Sequence, residues 1–143
     1  MKRRKTLMRA VGRTHRAWND YIKRITLTEG IPDSYRTVLM FLLRHPGAGQ
    51  SDIADFALIT SSAVNQTVKI MAAEGYLTKE ADPGDKRSSR LYLTKKGSEI
   101  AERVFERLGE ADAAITDKLG KEKEMQLIAI LDEIADYIRE ELT

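Results

Sequence analysis

The run Asp82-Pro83-Gly84-Asp85-Lys86-Arg87-Ser88-Ser89-Arg90-Leu91-Tyr92-Leu93-Thr94-Lys95-Lys96-Gly97 constrains this chain more than any other segment. Asp-Pro-Gly-Asp is strong turn chemistry: Pro presets φ, Gly accepts positive φ, and Asp carboxylates bond nearby backbone amides. Beyond the turn, Leu91 and Leu93 fall on one face and Arg90, Tyr92 and Thr94 on the other, the period of a half-buried strand. Leu77-Thr78-Lys79-Glu80-Ala81 is a matching run ahead of the turn. The two runs predict a β-hairpin whose tip carries Lys86, Arg87 and Arg90. A cationic tip of that shape suits the narrow, electronegative minor groove of DNA, which attracts Arg.

Upstream, Gln50 to Leu58 reads as a short helix with Ile53, Ala54 and Ala57 inward, and Ile59-Thr60 as a tight connection. Thr60 is placed to cap a second helix from Ser61 to about Glu74, its hydroxyl accepting from an early amide. In that helix Val64, Val68 and Met71 form a buried stripe at i, i+4 and i+7, while Ser61, Ser62, Asn65, Gln66 and Lys69 face out. Two short helices joined by a tight turn make a helix-turn-helix, whose second helix enters the major groove. The outward set has the chemistry that groove requires. Asn and Gln can pair bidentately with adenine, Lys can reach guanine or phosphate, and Ser can serve either way. On an isolated helix the same residues would be an ordinary solvated face; the wing downstream is what favours groove contact.

A helix-turn-helix followed by Glu74-Gly75-Tyr76-Leu77, the basic Asp82-Pro83-Gly84-Asp85-Lys86-Arg87 wing and Leu93-Thr94-Lys95-Lys96-Gly97 resembles the MarR family of bacterial winged-helix regulators. The resemblance runs over nearly the whole chain, because long helices flank the module, and the wing is its most specific part. It implies a homodimeric transcription factor, a repressor, on a double-stranded operator. In it Arg87 and Arg90 contact the minor groove, with Asp85 bracing the wing arginines. It also implies release by a small phenolic or anionic effector, for which His15, Arg16, Trp18, Asn19, Tyr35 and Met40 are candidate lining. The chain departs from the pattern at three positions: Leu58 stands where the family often has Gly, Phe56 where a polar residue is usual, and Gly49 where Thr or Ser commonly caps the helix.

The flanking segments carry apolar stripes of their own. Leu7, Val11, Trp18, Ile22 and Ile25 share one face of a long N-terminal helix. Ile100, Val104, Leu108, Ala111, Ile115 and Leu119 make a second stripe. Met125, Ile128, Leu131, Ile134, Ile138 and Leu142 make a third, widened by Leu127, Ile130 and Tyr137. Gly120 divides these last two helices. That is more apolar surface than a small winged helix covers, so a helical dimer interface is expected, and with it a pseudo-palindromic operator. The alternative is a monomeric bundle closed by the same stripes. Tyr35 to Leu43 reads as a further helix with Val38, Leu39, Leu42 and Leu43 inward, capped by Asp33 or Ser34 and stopped at His45-Pro46-Gly47.

The expected fold is mainly α, in the order α-α-α-α-β-β-α-α, with one further short strand allowed before the helix-turn-helix. Residues 1–143 read as one chain of this type. Residues 34–97 form the DNA-binding lobe, and residues 1–30 and 98–143 the dimerisation region. Charge follows that division. Residues 1–97 carry 18 Lys and Arg against 9 Asp and Glu, a net +9, whereas residues 98–143 carry a net −7. One part is built to face phosphate and the other to stay off it. Lys2 to Lys5 would touch DNA phosphate or stay disordered.

Other classes find little support. The chain has no Cys, which removes disulfides and Cys-ligated zinc, and no apolar run reaches the roughly 20 residues a membrane span needs. No signal-type apolar core follows the basic N-terminus, so a cytoplasmic location is expected. Only His15 and His45 are present, on different elements; no phosphate-binding glycine loop, metal spacing or cofactor motif appears. A catalytic role is not expected. The competing reading is a winged-helix protein-interaction adaptor, to whose surface Phe56 and Leu58 would contribute an apolar patch.

Overall fold

Apolar periodicity becomes helices and a hairpin in the expected order. The computed structural model describes residues 6–85 and 87–142; Lys86 and the basic run 2–5 lie outside them. Its elements are α1 (Leu7–Thr28), α2 (Asp33–Arg44), α3 (Gln50–Ala57), α4 (Ser61–Ala73), β1 (Leu77–Ala81), β2 (Ser89–Leu93), α5 (Lys95–Leu119) and α6 (Lys121–Glu141). The chain divides between Glu106 and Arg107 into two packed units.

In the first unit the predicted stripes meet in one core. Val38, Leu39 and Leu42 of α2, Ile53 of α3, and Val64, Val68 and Met71 of α4 are buried with Leu77 and Leu91 of the hairpin. Ile22 and Ile25 of α1 are buried too, as are Ile100, Ala101 and Val104 at the start of α5. Ala57 and Leu43, expected inward, are only half-buried. The hairpin is antiparallel with Leu77 opposite Leu93, Lys79 opposite Leu91 and Ala81 opposite Ser89. The extra strand allowed before the helix-turn-helix is a single bridge, Ala48 to Leu91.

Local chemistry sets the joints. Thr60 Oγ1 accepts the Ala63 N–H at 3.2 Å, the expected cap of α4. The helix ends at Glu74 and Gly75, where Gly75 takes φ +78° and the Tyr76 N–H returns to the Met71 carbonyl at 2.9 Å. Thr94 then locks the wing to that end: its Oγ1 donates to the Gly75 carbonyl at 2.6 Å and accepts from the Gly97 N–H at 3.1 Å. Lys96 Nζ reaches the Glu74 carbonyl at 2.9 Å and lies 4.0 Å from the centre of the Tyr76 ring. Gly97 packs so tightly that a Cβ there would run into the Tyr76 carbonyl oxygen.

Two caps differ from expectation. Pro32, not Asp33 or Ser34, precedes α2, and no side chain caps it. Its ring sets the extended entry, and Asp33 instead sits in the first turn, favoured by the helix dipole and 3.3 Å from Arg36 Nε. Gly49 has no side chain to cap α3, so Asp52 Oδ2 reaches back to the Gly49 N–H at 2.8 Å.

In the second unit α6 follows the end of α5 through Gly120, at φ +84°. The Gly120 N–H bonds the Thr116 carbonyl at 2.8 Å, and the Thr116 hydroxyl donates to the Glu124 carboxylate. Met125, Leu127, Ile128, Ile130, Leu131, Tyr137 and Ile138 are all exposed. No residue of α6 is buried.

Candidate nucleic-acid interface

The outer face of α4 is built by its inner one. Because Val64, Val68 and Met71 turn into the core, Ser61, Ser62, Asn65, Gln66 and Lys69 are all exposed, as anticipated. The fold adds neighbours that the sequence order hides. Ser61, Ser62 and Asn65 share an open groove of about 640 Å³ with Gly49, Gln50 and Ser51 at the start of α3 and with Arg87, Ser88 and Ser89 of the wing. The first turns of α3 and α4 thus converge with the wing on one polar surface. Gln66 and Lys69 lie farther along α4, outside that lining. Gln50, Ser51, Ser88 and Ser89 were not among the residues expected from sequence; only the tertiary contact between α3 and the wing brings them in.

The wing loop is two Asx turns in series. Asp82 Oδ1 accepts the Gly84 N–H at 2.8 Å, and Asp85 Oδ1 accepts the Arg87 N–H at 2.9 Å. The Ser88 N–H and hydroxyl both bond the Asp85 carbonyl, at 3.1 and 3.2 Å, and the Asp82 N–H bonds the Ser88 carbonyl at 3.2 Å. Asp85 therefore meets Arg87 through the backbone. The carboxylate that meets an arginine side chain is Asp82, whose Oδ2 is 3.4 Å from Arg90 Nε. The Gly84 amide first, and Arg90 next, hold the Asp82 carboxyl below its usual range, while Asp82 raises Arg90. Arg87 is exposed.

Behind this surface the far end of α4 is anchored. The Tyr35 hydroxyl donates to Glu74 Oε2 at 2.7 Å, and the Tyr35 and Tyr76 rings meet edge-on at 5.5 Å. Burial, then the Glu74 carboxylate, push the Tyr35 hydroxyl up to about 12. Its hydroxyl is thus committed to a structural bond. Of the other candidate effector-lining residues, His15 and Asn19 bond each other at 2.9 Å, Arg16 is exposed, Met40 is half-buried and Trp18 stacks on Tyr21.

Among the described residues no group of three or more His, Cys, Asp or Glu is arranged to hold a metal, and no helix is long and apolar enough to cross a membrane. Comparison with known proteins points the same way. The HTH-type transcriptional regulator YkoM of Bacillus subtilis is 25% identical over 131 residues, spanning 92% of this chain and 85% of that protein. The repressor CouR, solved on a 23-mer DNA duplex, shares the fold with a TM-score of 0.78 at 23% identity, covering 91% of this chain and 92% of that one. Staphylococcus aureus MarR, solved with salicylate and kanamycin, gives a TM-score of 0.80 at 20% identity, covering 94% and 91%. The model of the MarR family matches residues 29–88, the stretch from α2 through the helix-turn-helix to the wing loop. That segment is similar to the MarR family, and the fold around it is the one seen in solved MarR-type regulators.

Proposed function

We propose that the protein is a homodimeric repressor that reads a pseudo-palindromic operator and is released by a small phenolic or anionic effector. The observation that carries this reading is the single polar groove uniting the start of α4 with Arg87, Ser88 and Ser89. Ser61, Ser62, Asn65, Gln66 and Lys69 of α4 read base edges or anchor phosphates in the major groove. The wing, with Lys86, Arg87 and Arg90, enters the adjacent minor groove, and Asp85 braces it. Residues 34–97 serve as the DNA-binding lobe, and residues 1–30 and 98–143 as the dimerisation region.

Uncovered apolar surface supports the dimer. Leu7 is 56% exposed on α1, and α6 buries nothing within one chain. Exposed apolar faces of this extent mark contact surfaces. The effector rests on likeness alone: the solved Staphylococcus aureus relative holds salicylate and kanamycin.

Selection from random duplex DNA at near-physiological salt tests the reading. An enriched inverted repeat with half-sites about one helical turn apart is the expected result. Salt-sensitive retention without a motif would leave non-specific charge attraction. The adaptor reading would then lead, drawing on Phe56 and Leu58, which are 63% and 92% exposed.

A further inference from the structure

The two wing arginines have different surroundings, although both were expected to enter the minor groove. Arg87 is exposed at the lip of the groove, next to Asp85, which holds its backbone N–H. Arg90 lies on β2 opposite Glu80, and its Nε faces the Asp82 carboxylate. Asp82 is also where the wing loop closes. Its backbone N–H takes the Ser88 carbonyl, one carboxylate oxygen takes the Gly84 amide, and the other faces Arg90. One side chain thus ties the outgoing limb of the loop to the returning strand, beside the last hairpin pair, Ala81 and Ser89.

From this geometry, and resting on the DNA-binding reading above, we infer that Asp82 and Arg90 are a positioning pair. They hold the wing loop in the conformation that presents Arg87, and Arg90 acts on DNA through Asp82 rather than by its own phosphate or base contact. Two physical facts favour this division. An arginine beside a carboxylate brings little net positive charge to a phosphate. A carboxylate beside DNA repels it, so its place in a DNA-facing wing implies a compensating task. The loop has no apolar anchor of its own: Pro83, Gly84, Asp85 and Arg87 are all exposed. Its order therefore comes from its hydrogen bonds, and the pair adds an ionic side-chain tie between the two limbs to the bond of the Ser88 hydroxyl to the Asp85 carbonyl.

The two possibilities differ in sign. If Asp82 merely restrains a DNA-contacting Arg90, removing its charge frees a cation and relieves repulsion, and binding tightens. If the pair positions the loop, the same change weakens binding. Asp82→Asn is the informative variant, because an amide oxygen can still accept the Gly84 N–H while the ion pair is lost. The experiment is a salt titration of full-length protein on its selected operator, for wild type, Arg87→Ala, Arg90→Ala, Asp82→Asn and the Asp82→Asn/Arg90→Ala double variant. Amide exchange of Gly84 and Ser88 is measured in the same proteins without DNA.

We expect Arg87→Ala to weaken binding and flatten the salt dependence by about one phosphate contact per wing. Arg90→Ala and Asp82→Asn should each weaken binding about three- to five-fold, the range open to an exposed pair, with the wild-type salt slope retained. The double variant should be no weaker than either single change, since both remove one tie. The Gly84 and Ser88 amides should exchange faster in both single variants. Tighter binding by Asp82→Asn, a slope lost in Arg90→Ala as in Arg87→Ala, or unchanged amide exchange would each overturn the inference. Failure of the DNA-binding reading would look different: wild type itself would retain no preferred duplex, while the exchange measurement would still judge the tie.

Discussion

At the scale of single residues, the structure singles out positions by what one atom would do there. Gly97 is the sharpest case, because a methyl group would collide with the Tyr76 carbonyl, the same oxygen that accepts the Thr94 N–H at 3.0 Å. Gly97→Ala should lower unfolding free energy by about 1–3 kcal/mol, the usual range for overpacking, in a urea titration. Tyr35 supplies a second test. Its raised pKa means that folding favours the protonated hydroxyl. The contribution of the Tyr35–Glu74 bond is therefore complete below the ordinary tyrosine range and fades as pH rises towards about 12. Ultraviolet titration should show one of the five tyrosines ionising late, and Tyr35→Phe should abolish that late step.

Elements carry a different kind of liability. Leu58 ends α3 in the left-handed region, at φ +53°, the only non-glycine residue there among those described, and its side chain is almost wholly in water. A leucine in that region costs about 1–2 kcal/mol relative to right-handed backbone, whereas glycine adopts it freely but loses more chain entropy. With no buried contact to lose, Leu58→Gly should raise stability by about 0.5–1 kcal/mol, a modest upward shift in the melting curve. A lower melting point would show that the leucine packs against something in solution. At the other side of the turn, Thr60→Ala removes the hydroxyl that accepts the Ala63 amide, and should cost about 1 kcal/mol. Loss of that cap frays the first turn of α4, where Ser61 and Ser62 stand, so operator affinity should fall with it.

For the whole molecule the decisive quantity is apolar area with nothing on it. Leu131 and Ile138, two turns apart on α6, are exposed in the single chain. If the helical region forms the proposed dimer, Leu131→Arg with Ile138→Arg should shift sedimentation towards the monomer mass. The concentration dependence of the wild-type melting temperature should then disappear as well. Operator affinity would drop because two half-sites are no longer read by one linked body. A monomeric wild type would return these stripes to the simple bundle reading.

Much of this was written along the chain. Helices α4, α5 and α6, the hairpin and the Thr60 cap were legible because each rests on side-chain spacing within a few residues or on one cap beside a stripe. The outward set from Ser61 to Lys69 was legible for the same reason: burying Val64, Val68 and Met71 leaves it no other direction. What escaped depends on residues far apart in sequence or on backbone the side chains do not advertise. Tyr35 meets Glu74 across 39 positions, and Thr94 meets Gly75 across 19. The groove exists only because the start of α3 is brought beside the wing. The partner of Arg90 was likewise hidden, since Asp82 and Asp85 both precede it in the same turn and only the hairpin register decides which carboxylate it meets. Local periodicity and turn chemistry determined the elements; long-range packing and strand register decided which side chains share a surface.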